Sequence, residues 1–526
     1  MEPRETVEWI LVLLAGMAAL ATLARQLRVP YPILFVLGGA ALGFVPGAPR
    51  IGIPPDLVLL LFLPPLIYDA GVFIPLRDLR AQAWAILALA VGLVFATMAS
   101  VAVVAYLAIP TLSWPAAFVL GTIVAQTDIV VALAIVERLP VPARVLTIIE
   151  GEGLFNDATS LVLYRAAVAA AVAGSFSLAA ASVAFAVAAI GGVAVGLAVG
   201  WLAAGVRRHL GDPLVEITVS LLTPFLAWIA AETIGASGVL AVVTAGVYVA
   251  RARFSLLPPD TRLQDTAFWE VLTFLLQGFL FILVGLQLQP VLGPLAAYAP
   301  LTLVGYAALV SGVAIVLRIA WVFGAAYLGN AVARSWSPAG ERPDWRELTL
   351  VGWMGMRGGD SLVTALALPL ATSAGAPFPG RDLILFLTFG VIFCTLLLQG
   401  LSLAPLIRAL GVSGDEADRE ERMAWQHLTH TALAQLQALA GEPWVPAQAA
   451  DRLRLHLEHR VKDFTRPSDQ SHRLEHAGAR RLRREVLAAQ RREAIRMRDR
   501  GIINDAVLHR VERDLDVEEV ALEAEN

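Results

Sequence analysis

Gly151-Glu152-Gly153-Leu154-Phe155-Asn156-Asp157 puts two acids and an amide within residues 152–157 of an otherwise apolar stretch. On a surface helix this would be ordinary. At membrane depth each such group is costly, and ionisable residues there are as a rule functional. Composition decides which setting applies. Of 526 residues, 57% are hydrophobic and 16% charged, against about 25% charged in soluble globular chains. Charge is sparse up to Arg408 and dense after it. The stretch therefore belongs to a membrane domain, residues 1–412, followed by a polar tail, residues 413–526. A net charge of −4 gives no basic character that would suggest a nucleic-acid partner. The single cysteine, Cys394, lies in the apolar run Val391–Leu398; it reads as packing and excludes a disulfide scaffold or a cysteine-based metal site.

A spanning helix needs about 20 apolar residues. Counting outward from residues 151–157, about 13 spans are predicted, centred near residues 17, 38, 64, 95, 125, 158, 190, 222, 244, 278, 314, 358 and 395. The run Glu8–Leu27 has the apolar core of a signal peptide, but it is long, Arg25 and Arg28 follow it, and many similar runs come after; it reads as a first span. Loop arginines alternate. One set holds Arg25, Arg28, Arg77, Arg80, Arg138, Arg144, Arg207, Arg208, Arg251, Arg253, Arg262, Arg334, Arg342, Arg346 and Arg408; the other holds little beyond Arg50 and Arg381. This bias predicts an odd span count, an outside N-terminus and a cytoplasmic tail. In the tail, Arg480–Arg500 and Ile502–Ala521 read as helices. Seven of the eight histidines lie there and read as solvated surface groups in preference to a pH sensor.

Few charges fall within the predicted spans. Asp69 lies in Leu63-Pro64-Pro65-Leu66-Ile67-Tyr68-Asp69-Ala70-Gly71, and Thr127-Asp128 interrupts Ala116–Val136. Arg165 follows Asp157 by two turns, Glu232 follows Trp228-Ile229-Ala230-Ala231, Arg318 sits in Val313–Phe323, and Arg357 sits in Gly352-Trp353-Met354-Gly355-Met356-Arg357-Gly358-Gly359-Asp360. Glu152 and Asn156, four residues apart, share one helix face, whereas Asp157 is turned by about 100°. One acid can thus be paired while its neighbour titrates. A hard monovalent cation wants oxygen ligands, which Asp157, Asp128, Thr127 and Asn156 can supply. Arg318 reads as the counter-charge of Glu152 or of another buried acid. Arg165 reads as snorkelling from a helix end, and Glu232 as either bonded to nearby backbone or functional.

Four glycines surround Arg357, and each weakens a continuous helix by roughly 1 kcal/mol. Unwound backbone at membrane depth is tolerated only against a protein cavity. Interruptions at Thr127-Asp128 and at Gly352–Gly359, one in each half of the chain, are the pattern of an inverted-repeat transporter with two crossing broken helices. Arg357 would offset the negative half-helix ends there and Asp128 the positive ones. Asp360 adds an acid beside Arg357; pairing between the two is expected in preference to the alternative, an effect on ion selectivity.

From Leu11 to Leu410 the chain resembles the monovalent cation/proton antiporter family of bacterial sodium/proton antiporters and animal sodium/proton exchangers. Gly151–Ala158 is similar to that family's Asn-Asp signature, Leu63–Gly71 to its third-helix motif, Ala231-Glu232 with Ser237–Val242 to another, and Met356–Gly359 to its late glycine-arginine motif. The resemblance implies an all-α, 13-helix membrane protein with a mobile core and a dimerisation region. It further implies a homodimer in the cell (inner) membrane, exchanging sodium (or lithium or potassium) for protons in pH regulation, without a cofactor. Asp157 would bind cation and proton in competition, with Asp128, Thr127, Asn156 and Asp69 nearby; the carboxylates holding the transported metal ion would be Asp157 and Asp128. Glu152 and Arg318 would form an ion pair. A single acid preceded by Asn implies electroneutral exchange. Three positions depart from the pattern: Gly153 stands where Ser is frequent, Ile129 where Pro is usual, and Asp360 where a small apolar residue is usual.

The expected mechanism is one-for-one antiport by alternating access. A cation channel would instead show conductance without proton coupling, and potassium/proton antiport is the nearest variant of the first reading. A receptor or scaffold acting through its tail leaves the intramembrane acids without a role. No nucleophile–base set or metal-ligand cluster suggests an enzyme.

Overall fold

The computed structural model describes residues 3–27, 29–45, 55–74, 76–136, 139, 141–173, 178–296, 298–333, 344–372, 375–412, 415–440, 442, 445–465 and 470–500, with a few positions beyond. Arg28, Arg50, Arg138, Arg334 and Arg342 lie outside the described residues, as does most of Ile502–Ala521. The chain divides into two compact units, Met1–Glu416 and Ala417–Asn526.

Among the described residues, the regular elements of the first unit are helices, joined by turns and short extended segments, with one isolated bridge between Ala371 and Pro377. Its principal helices are α1 (Pro3–Leu27), α2 (Tyr31–Gly43), α3 (Pro55–Phe73) and α4 (Ala83–Ala108, with a π turn at Ala88–Leu93). There follow α5 (Trp114–Ala125), α6 (Ile129–Val136), α7 (Ala143–Ala173), α8 (Leu178–Arg207), α9 (Pro213–Thr233) and α10 (Gly238–Leu256). The unit ends with α11 (Pro259–Leu286), α12 (Pro300–Ala333), α13 (Trp345–Trp353), α14 (Gly359–Leu366) and α15 (Arg381–Leu410, with a π turn at Leu396–Gly400). Among the described residues, seven stretches are long and apolar enough to cross a membrane, and four shorter helices are also apolar. With no water in the hydrocarbon layer, a helix is the way for such a chain to pair its own backbone.

Helices approach closely where side chains are small. Along α8, Gly192, Gly196 and Gly200 face Leu240, Ala241, Thr244, Ala245 and Tyr248 of α10, and a Cβ on Gly200 would lie 3.2 Å from the Ala245 carbonyl oxygen. Gly39 of α2 and Gly285 of α11 similarly bring their two backbones into contact. Small-residue seams of this kind hold helices together where lipid supplies no hydrophobic drive.

Two helices are broken at mid-course. α5 stops at Ala125, Gln126 is extended (φ −64°, ψ 133°), and α6 restarts at Ile129. α13 stops at Trp353, Gly358 is extended (φ −149°, ψ −144°), and α14 restarts at Gly359. The two breaks cross, with the Asp128 N–H donating to the Met356 carbonyl at 2.9 Å. The first break forms without the proline usual in the resembling family, because partners from elsewhere satisfy the freed backbone.

In the second unit, helices α16 (Asp415–Leu439), α17 (Ala447–Thr465) and α18 (Gln470–Asp499) are described. The last of these contains nearly all of the predicted helix Arg480–Arg500. Leu487 and Leu515 form a small buried pair.

Candidate functional site

The crossing is built from orphan backbone groups at helix ends. Three successive carbonyls at the end of α5 each accept from a side chain of another segment. Val124 accepts from Arg357 Nε at 2.6 Å, Ala125 from Asn156 Nδ2 at 3.1 Å, and Gln126 from Ser361 Oγ at 3.5 Å. The guanidinium of Arg357 also donates to the Gly355 carbonyl at 2.6 Å. At the opposite pole, Asp128 Oδ2 accepts the Gly359 N–H at 3.0 Å and so caps the start of α14. Arg357 therefore meets the negative ends and Asp128 a positive one. Gln399, in the π turn of α15, donates to the Trp353 carbonyl at 3.0 Å, and Thr395 Oγ1 accepts the Arg357 N–H at 3.1 Å. The glycines here make room: a Cβ on Gly355 would strike the Arg318 side chain, and one on Gly358 the Asp128 carboxylate.

Helix α7 carries two chemically distinct faces. On one, Glu152 is 1% exposed and pairs with Arg318, also 1% exposed. Arg318 Nη1 donates to Glu152 Oε1, and Nη2 donates to Oε2 at 2.7 Å and to the Val351 carbonyl at 3.0 Å. The fork geometry satisfies both charges, which is the condition for a buried ion pair to be tolerated. Thr127 Oγ1 donates to the same Glu152 at 3.4 Å. On the other face, Glu150, Gly153, Leu154 and Asp157 line a cavity of about 340 Å³. The remaining walls come from the C-terminal half of α3 with Asp69, from the crossing with Thr127, Asp128, Ile129 and Asp360, and from one stripe of α11, Thr266, Glu270, Thr273 and Gln277. Among the described residues, six carboxylates line this space and no lysine, arginine or histidine does. Asp157 Oδ1 is enclosed and has no hydrogen-bond partner among the described residues.

The structure thus gathers Asp157, Asp128, Thr127, Asp69 and Asp360 around one cavity. Asn156 is not on its lining, because its amide is turned to the end of α5. The expected pairing of Asp360 with Arg357 is not found. Arg357 is drawn back onto the Val124 and Gly355 carbonyls, while Asp360 sits in the first turn of α14 facing the cavity. Arg165 does not merely snorkel: its Nη2 donates to Glu232 Oε1 at 2.7 Å, and the same oxygen accepts the Gly238 N–H that opens α10 at 3.2 Å. Arg207, expected in a loop, is 2% exposed and pairs with Asp265 at 3.6 Å.

Sequence reasoning missed Glu150 and Glu270. Glu150 precedes Asp157 by seven residues, two turns, and so shares its face; that spacing was the available signal. Glu270 belongs to a polar stripe of 4-3-4 spacing, Thr266, Glu270, Thr273 and Gln277, that runs into the apolar part of α11, a signal of the same kind.

The pattern of a family described as sodium/hydrogen exchanger, transmembrane, matches residues 10–409. A protein of Mycobacterium tuberculosis named as an uncharacterized sodium/proton exchanger is 34% identical over 522 residues, 98% of this chain and 95% of its own. A sodium, potassium, lithium and rubidium/proton antiporter of Bacillus subtilis is 34% identical over 383 residues, 70% of this chain and 56% of its own. In fold the chain is similar to the sodium proton antiporter MjNhaP1 of Methanocaldococcus jannaschii, with a TM-score of 0.61 at 19% identity, covering 78% of this chain and 99% of that one. A match over nearly the whole membrane unit, with relatives of this identity and coverage, makes the chain a member of the sodium/hydrogen exchanger family.

Proposed function

We propose that this protein exchanges a monovalent cation, sodium in the first instance, for a proton, one for one and by alternating access, with the two ions competing for Asp157. The observation that carries the reading is the enclosed, unpartnered Oδ1 of Asp157 on a cavity whose lining charges are all acidic. Glu152 is already neutralised by Arg318 and Asp128 is engaged with α14, whereas Asp157 Oδ1 is enclosed without a hydrogen-bond partner among the described residues, which supports Asp157 as the group that changes its occupant. Bound cation or bound proton each neutralises it. The empty carboxylate would have to be buried uncompensated to cross, and that cost couples the two fluxes. Asp128 and Thr127 complete the ion's surroundings, and Asp69 stands on the opposing wall.

The protein works as a homodimer in the cell membrane, N-terminus outside and tail inside. Large apolar side chains exposed along α8 (Val183, Ile190, Leu197 and Trp201) support a surface covered by lipid or by a second copy. Potassium/proton exchange is the second reading, favoured by the breadth of cations in the name of the Bacillus relative.

The test uses proteoliposomes holding a pH gradient and an internal pH dye. Sodium addition should collapse the gradient with the wild type and leave it standing with Asp157→Asn. Because proton and sodium compete, the half-saturating sodium concentration should rise as pH falls. Exchange that persists in Asp157→Asn would remove Asp157 from the mechanism.

A further inference from the structure

We propose that the contact between Ile129 and Gly153 sets which monovalent cation the cavity prefers; the inference rests on the exchange reading above. Gly153 lies one turn before Asp157 on the cavity face of α7, and a helical side chain leans back over the turn N-terminal to its own Cα. The Asp157 carboxylate therefore overhangs residue 153. No side chain rises from that position. Its space is taken by Ile129, the first residue of α6, next to Asp128: a Cβ added to Gly153 would meet Ile129 Cγ2 inside contact distance, with Cδ1 at 3.2 Å and Cγ1 at 3.3 Å. The two residues are one unit, a missing side chain filled by a branched hydrocarbon.

That unit sets the oxygen supply beside Asp157. Thr127 Oγ1 donates a hydrogen bond to Glu152, and Asp128 Oδ2 accepts one from the Gly359 N–H, so both neighbouring groups already have protein partners. Where residue 153 could offer a hydroxyl, the site offers the methyls of Ile129. Cation selectivity follows the number and field strength of the coordinating oxygens. A small, strongly hydrated ion such as lithium or sodium loses most when water is exchanged for few oxygens, whereas potassium and rubidium lose less. The cavity is rich in carboxylates, but beside Asp157 it lacks the neutral ligand that a hydroxyl at residue 153 would add, and with one ligand fewer it discriminates less against the larger ions.

The experiment compares wild type, Gly153→Ser, Ile129→Ala and the double variant in proteoliposomes, titrating lithium, sodium and potassium at one pH. Gly153→Ser alone should raise the half-saturating concentration for every cation, since Ile129 must be displaced. The double variant should recover exchange and move the preference toward lithium and sodium over potassium by roughly tenfold, the effect of one added neutral ligand on a charged group. Gly153→Ala, with and without Ile129→Ala, tests the contact without the hydroxyl and keeps the proposal open to refutation if the serine variants misfold: it should be impaired beside Ile129 and rescued beside Ala. The proposal is overturned if the cation preference is the same in all variants, or if Gly153→Ala is tolerated beside Ile129. Wild-type protein that moves no protons on addition of any of the three cations would instead sink the exchange reading itself.

Discussion

Of the two acids at the heart of α7, Glu152 has its charge answered by Arg318 while one oxygen of Asp157 has no hydrogen-bond partner among the described residues, and the difference is position around the helix: five residues apart, the two stand about 140° apart. Glu152 and Arg318 are each 1% exposed. Removing one leaves the other charged and buried, which costs about 3–5 kcal/mol, whereas replacing both with neutral groups of similar volume can be near neutral. Arg318→Met and Glu152→Gln should each lower thermal stability in detergent sharply, and the double variant should recover most of the loss; additive losses would mean the pair is not the structural unit described. Asp69, Asp128, Asp157 and Asp360, which the structure gathers around one cavity, stood out in the sequence because membrane depth makes each one expensive. Glu150 escaped notice because it abuts Gly151 near the start of the helix, where an acid looks like a terminus. Arg207 was misread for a related reason. An arginine at a helix end usually reaches solvent, whereas this one is buried against Asp265.

At the scale of elements, the breaks in α5–α6 and α13–α14 are stabilised by what surrounds them. The glycines around Arg357 made the second break readable. The first lacked its usual proline, and its extended Gln126 depends on acceptors and donors some 230 residues away in sequence, a distance no local pattern carries. The α8–α10 seam is local by comparison. Gly196→Leu should force the helices apart, since a Cβ there meets the Ala241 carbonyl oxygen and lies 2.7 Å from Thr244 Cβ. Such overpacking costs about 1–3 kcal/mol. Gly205→Leu, where nothing lies within 4 Å, serves as the control. Thermal unfolding monitored by size-exclusion in detergent should separate the two, and equal melting temperatures would mean the seam contributes little.

Across the whole molecule, the ion chemistry gathers in the membrane unit, and every residue assigned to the crossing and the cavity lies between Leu66 and Gln399. A chain ending at Val412 should therefore insert and still exchange sodium for protons in proteoliposomes, with the tail acting on rate or pH response; an inserted but inactive truncation would place the tail within the machinery. A contact such as that between Ile129 and Gly153 was not readable in the sequence, because it depends on how α6 and α7 share a few ångströms. The crossing also has a history in time. Val124 emerges from the ribosome 233 residues before the arginine that satisfies its carbonyl, an interval of roughly 10–50 s at ordinary synthesis rates. Asn156 follows Ala125 by only 31 residues, but throughout that interval the Val124 and Gln126 carbonyls lack the donors that later satisfy them. Biogenesis of the first half must therefore lean on lipid-bound water or on the insertion machinery until the second half arrives to complete it.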